Sequence, residues 1–75
     1  MTEPLIVVNV KCYEKATGPA VMKIAEACEQ VDAWICPQHA DLFRVSSRSS
    51  VTVYAQHVDP VDYGSYTGAM SAPAA

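Results

Sequence analysis

Charge is what this sequence has least of. Only 17% of its 75 residues are Asp, Glu, Lys or Arg, while 51% are apolar, a balance less charged than that of an average soluble domain. Such a surface reads as one built to be covered. Lys11, Lys15, Lys23, Arg44 and Arg48 are scattered and the net charge is -3. Without a basic stripe, nucleic acid and anionic membranes are poor partners. Glycine is scarce as well, at Gly18, Gly64 and Gly68 alone. No G-x-G-x-x-G or Walker pattern exists, which argues against a phosphate cradle for a nucleotide. The cysteines are Cys12, Cys28 and Cys36. An odd number without C-x-x-C points to thiols in a reducing cytosol, not to a disulfide frame. Met1-Thr-Glu-Pro4 places an acid and a proline where a secretory signal would be basic, and the run Leu5–Val8 is far too short to span a bilayer. A chain of this length buries only about 60–65% of its unfolded surface, so one small, marginal domain is the upper bound.

What is present is an alternation of two kinds of pattern. Leu5-Ile-Val-Val-Asn-Val10 is a nearly continuous β-branched run, the signature of a strand covered on both faces in a parallel sheet. Thr17-Gly-Pro19 is a helix start, with Thr17 able to cap and proline tolerated in the first turn. Val21, Ile24, Ala25, Cys28 and Val31 then recur at helical spacing opposite Lys23, Glu26 and Gln30, predicting an amphipathic helix of about four turns. Ala33-Trp-Ile-Cys36, closed by Pro37, reads as a second strand. Gln38–Val45 reads as a short helix, Ser46–Ser50 as a polar turn, and Val51-Thr-Val-Tyr-Ala55 as a third strand. An Asp/Pro/Gly/Ser/Tyr loop follows, and Ser71–Ala75 carries no packing signal and is expected to fray. The order β-α-β-α-β implies parallel neighbours joined by right-handed crossovers. Ligands gather at the carboxyl ends of such strands. Those ends carry Asn9, Lys11 and Cys12, then Cys36, Gln38 and His39, then Gln56, His57 and Asp59, so most of the chemistry falls on one edge.

Each group on that edge has an ordinary reading beside the chemical one. Lys11 can set a point charge against a phosphate or a developing enolate, or simply mark where a strand meets water. Cys36-Pro-Gln-His39 is a C-x₂-H pair which, with Cys12 and His57, resembles a zinc set. It is a single close-spaced pair, and free cysteines are usually buried, so no metal is expected. Either histidine could serve as a base near neutral pH, yet neither has a nucleophile at an obvious spacing.

The combination Asn9-Val-Lys11, Pro37-Gln-His-Ala-Asp-Leu42 and Tyr54-Ala-Gln-His-Val-Asp-Pro60, in that order, resembles the archaeal type of triosephosphate isomerase. The likeness covers nearly all of residues 4–70. It implies an incomplete (β/α)₈ TIM barrel. About three parallel strands and one or two helices lie within residues 1–70, with 71–75 as a disordered tail, where a complete barrel needs roughly 250 residues. It implies interconversion of dihydroxyacetone phosphate and glyceraldehyde 3-phosphate without a cofactor, in the cytoplasm. Asn9 and Lys11 contact the triose phosphate, Lys11 being catalytic through its charge. The loop after the third strand is the family's main subunit contact. Tyr63, Gly64, Ser65, Tyr66, Thr67 and Gly68 form its tip, and Thr67 props the Asn-x-Lys of the neighbouring subunit. The family is itself a standard illustration of a glutamate base paired with a neutral histidine under a closing loop. Both residues, and the glycine-rich amides that hold the phosphate, come from later strands. The 75 residues alone are therefore expected to be inactive. The alternative is a non-catalytic interaction module that self-associates or completes a barrel in trans, because Val51, Val53, Val7 and Val8 would face solvent.

Overall fold

The computed structural model describes residues 4–75; the leader reading of Met1-Thr-Glu falls outside them. The chain forms strand β1 (Val7–Asn9), helix α1 (Pro19–Gln30), strand β2 (Trp34–Cys36) and helix α2 (Leu42–Arg48), with single 3₁₀ turns at Glu14–Ala16 and His39–Asp41. β1 and β2 pair in parallel, with Val7 opposite Trp34, Val8 opposite Ile35 and Asn9 opposite Cys36. The parallel β-α-β order expected from the sequence is thus present, with shorter strands.

The third strand is the main departure. Val51–Ala55 contributes one parallel bridge, Val53 to Ile35. Ile35 N–H donates to the Thr52 carbonyl at 3.0 Å and Tyr54 N–H donates to the Ile35 carbonyl at 3.0 Å. Beyond that bridge Gln56 reaches the Cys36 carbonyl through its side-chain amide, and the backbone ladder stops. The spatial order is still sequential, with β2 between β1 and Val53.

α1 follows from its apolar spacing: Val21, Ala25 and Cys28 are buried along one face. Its start differs from the expectation. The N-cap is Gly18, at φ 59° and ψ -134°, a conformation open in practice only to glycine. Thr17 does not cap the helix. Its hydroxyl donates to Asp41 Oδ2 at 2.6 Å, and the Gly18 N–H donates to Asp41 Oδ1 at 3.0 Å. Asp41, 4% exposed, therefore brings a carboxylate from the second βα connection to the positive end of α1. At the other end Val31 lies beyond the helix and is exposed. Ala33 N–H bonds the Cys28 carbonyl at 2.9 Å and Asp32 N–H bonds the Glu29 carbonyl at 3.3 Å. That pair of bonds is a Schellman closure, here with Asp32 at φ 56° where glycine is usual. It turns α1 directly into β2.

α2 runs further than its pattern suggested, through Ser46, Ser47 and Arg48. Serine hydroxyls bonding back to carbonyls accommodate this: Ser49 Oγ donates to the Val45 carbonyl at 2.6 Å. Val45 anchors the helix in the core, whereas Phe43 is 84% exposed.

Val10, Ala16, Val21, Ala25, Cys28, Ala33, Ile35 and Val45 make the core, between the sheet and the two helices. Val8, Val51 and Val53 pack against it, which corrects the expectation that they face solvent; Val7 does face it. Strand side chains alternate, so Val7, Asn9, Trp34 and Cys36 share the face away from Ile35. Trp34 stacks there on Tyr54, ring centroids 4.7 Å apart. No helix among the described residues covers that face. Ser71 bridges Asp59 and is buried, and Ala75 N–H bonds the Ser71 carbonyl at 3.0 Å. Packing thus reaches the segment expected to fray.

Candidate functional site

The carboxyl ends of the strands converge as the element order requires. Val10, the residue after β1, is buried and donates its N–H to the Cys36 carbonyl at 3.3 Å. Fixing Val10 in this way leaves Lys11 to turn outward. Lys11 does so in the left-handed region, at φ 58°, a conformation that costs an ordinary L-residue roughly 1–2 kcal/mol. Two side chains hold it there. Asn9 Oδ1 accepts the Lys11 N–H at 2.9 Å, and Gln56 Nε2 donates to the Lys11 carbonyl at 3.0 Å. The same Gln56 amide donates to the Cys36 carbonyl at 3.1 Å, so one side chain joins the ends of three strand segments. Gln38 repeats the device: its Nε2 donates to the carbonyls of Tyr13, at 2.9 Å, and Ala16, at 3.3 Å, tying the connection after β1 to the end of β2.

Backbone strain held by convergent side chains is a mark of functional positions. The strained residue is the lysine that the sequence analysis selected, and the asparagine beside it is one of its two supports. Gln56 was placed on this edge by the sequence; its role as a staple was not. No local pattern signals a side chain that bonds a carbonyl 45 positions away.

His39 and His57 meet on the same edge, with ring centroids 4.4 Å apart. His57 Nε2 lies 3.5 Å from Asp59 Oδ2. The Met70 N–H, which donates to Asp59 at 2.7 Å, and the nearby imidazole of His57 draw the Asp59 carboxyl below its ordinary range. All three cysteines are free thiols. Burial pushes the Cys28 thiol up, which makes it inert. No group of three or more His, Cys, Asp or Glu among the described residues is arranged to hold a metal ion, so Cys12, Cys36, His39 and His57 do not come together as a zinc set. Tyr63 to Gly68 are exposed. Gly64 serves a close approach: a Cβ there would come within 2.9 Å of the Tyr66 ring.

Parallel strands linked by a helix, with a held lysine and its polar supports at the carboxyl edge, define a β/α unit of the class that carries its ligands at the strand ends. The comparisons with known proteins make the class specific. The sequence model of the triosephosphate isomerase family matches residues 4–75. The triosephosphate isomerase of Methanothermus fervidus is 42% identical over 76 residues, covering 93% of this chain and 34% of that protein. That of Methanococcoides burtonii is 44% identical over 72 residues, covering 88% and 33%. That of Methanothermobacter thermautotrophicus is 37% identical over 78 residues, covering 96% and 34%. The chain belongs to the triosephosphate isomerase family, and it spans about a third of the length of these relatives. No helix among the described residues is long and apolar enough to cross a membrane.

Proposed function

We propose that this chain supplies the lysine and asparagine of a triosephosphate isomerase site, and that it acts only as part of a larger (β/α)₈ barrel. The observation that carries this reading is Lys11 held at φ 58° by Asn9 and Gln56 at the carboxyl edge. Interconversion of dihydroxyacetone phosphate and glyceraldehyde 3-phosphate moves a proton between adjacent carbons through an enediolate. A fixed ammonium beside the developing oxyanion lowers that barrier by electrostatic stabilisation. Asn9 in this scheme both orients Lys11 and meets the substrate. No cofactor is involved, and the cytosol is the compartment the thiols suit. By the family resemblance, the general base, the electrophilic histidine and the phosphate-binding amides belong to later strands. Residues 1–75 alone are then silent.

The test mixes this chain with a separate polypeptide carrying the remaining two-thirds of a relative's barrel. The mixture interconverts triose phosphates; neither piece does so alone. Lys11→Ala abolishes the activity, while Lys23→Ala, on the outer face of α1, leaves it intact. Turnover by the 75-residue chain alone, or equal losses from both substitutions, would overturn the reading.

A second reading, self-association, is favoured by the uncovered sheet face. Val7 is 49% and Tyr54 51% exposed there, and Leu5 and Ile6 lead into it. A second copy, or the rest of a barrel in trans, would cover that face, with Tyr63–Gly68 as a further contact.

A further inference from the structure

The loop after the third strand segment is shaped almost entirely from its base. Asp59 takes both backbone groups of Met70: its N–H donates to the Met70 carbonyl at 2.7 Å, and its Oδ2 accepts the Met70 N–H at 2.7 Å. It also bridges the buried Ser71. Between these points every residue from Asp62 to Ala69 is exposed. The bonds found there are short-range, such as Ala69 N–H to the Tyr66 carbonyl at 3.0 Å. No other hydrogen bond among the described residues ties the tip to the rest of the molecule.

We propose that Asp59, with His57 and His39 behind it, is a charge-controlled latch that holds the 59–71 loop shut and lets it open in acid. Oδ2 carries the latch bond and lies 3.5 Å from His57 Nε2. The His57 ring rests against that of His39, whose Nε2 is buried with no hydrogen-bond partner among the described residues. A carboxylate accepting a backbone N–H makes a charge-assisted bond, roughly twice as strong as a neutral one. Protonating it removes both that assistance and the attraction to His57. Other ionisable groups nearby are engaged or remote in sequence: Asp41 is bonded to Thr17 and Gly18, and Asp62 to the adjacent Tyr63 N–H. Lys11, at the end of β1, meets the edge through its backbone carbonyl. The folded-state carboxyl is drawn down, by Met70 first and the histidines after it. The latch is therefore fully present above the ordinary carboxylate range and is lost as pH falls through the lowered value.

Hydrogen exchange of the stretch ending at Met70, read by mass spectrometry on the whole chain at matched intrinsic rates, tests this. At neutral pH, Asp59→Asn speeds exchange there about tenfold. Wild type converges on the variant in acid. His57→Gln keeps the protection at neutral pH but loses it at a higher pH than wild type, because a counter-charge is gone. Asp62→Asn changes nothing. Equal exchange of wild type and Asp59→Asn at neutral pH, or an unshifted midpoint in His57→Gln, would overturn the proposal.

Discussion

Single residues in this molecule act by bonding far along the chain. Asp41 is the clearest case, a buried carboxylate whose two oxygens take the Thr17 hydroxyl and the Gly18 N–H. Removing it strips the start of α1 of its partner and leaves two donors behind. Asp41→Ala is expected to destabilise the fold by about 1–3 kcal/mol, with Asp41→Asn milder because an amide oxygen can still accept one bond. Urea unfolding followed by the single tryptophan, Trp34, measures both. The placement of Asn9, Lys11 and His39 at the carboxyl edge was legible in the sequence, because each follows a β-branched or aromatic apolar run that reads as a strand. The partners of Asp41 and Gln56 were not. Hydrogen bonds across 24 and 45 positions leave no trace in spacing or composition.

Among the elements, α1 and the parallel pair β1–β2 follow directly from periodicity, since Val21, Ala25 and Cys28 need one helical face and Val8 and Ile35 need cover. The boundaries follow from backbone conformations that the same pattern cannot display. Val31 continues the apolar spacing of α1, yet the helix ends before it because Asp32 enters the left-handed region. That position suits glycine better than any other residue, and aspartate tolerates it only partly. Asp32→Gly should raise stability by about 0.5–1 kcal/mol, and Asp32→Ala should lower it; the midpoints of urea unfolding decide. The third strand segment illustrates the opposite limit. Val51–Ala55 has strand composition, but a ladder needs successive backbone pairs, and the residue that would donate next, two beyond Ile35, is Pro37, which has no N–H.

At the scale of the whole molecule, the fold is thin. It measures 42 × 33 × 20 Å with a radius of gyration of 13.3 Å, where a compact chain of this length would have about 11 Å. Its accessible surface is 5604 Å², against about 4500 Å² for a compact monomer of its mass. The excess is in keeping with the open sheet face carrying Val7 and Tyr54, and with the scarcity of charge in the sequence. Sedimentation velocity on the isolated chain should find species well above 8.1 kDa. A sharp monomer that unfolds cooperatively would show instead that the slab is sufficient by itself.

The sequential order of the sheet has a consequence for how such a chain comes into being. β1, β2 and Val53 lie side by side in the order in which a ribosome delivers them. Each new segment finds its neighbour already made, so no loop must wait for a distant partner before it can close. The growing edge is always the last one synthesised. A register error at Val53 would then pass to whatever is laid down next, while β1 and β2 would already be set.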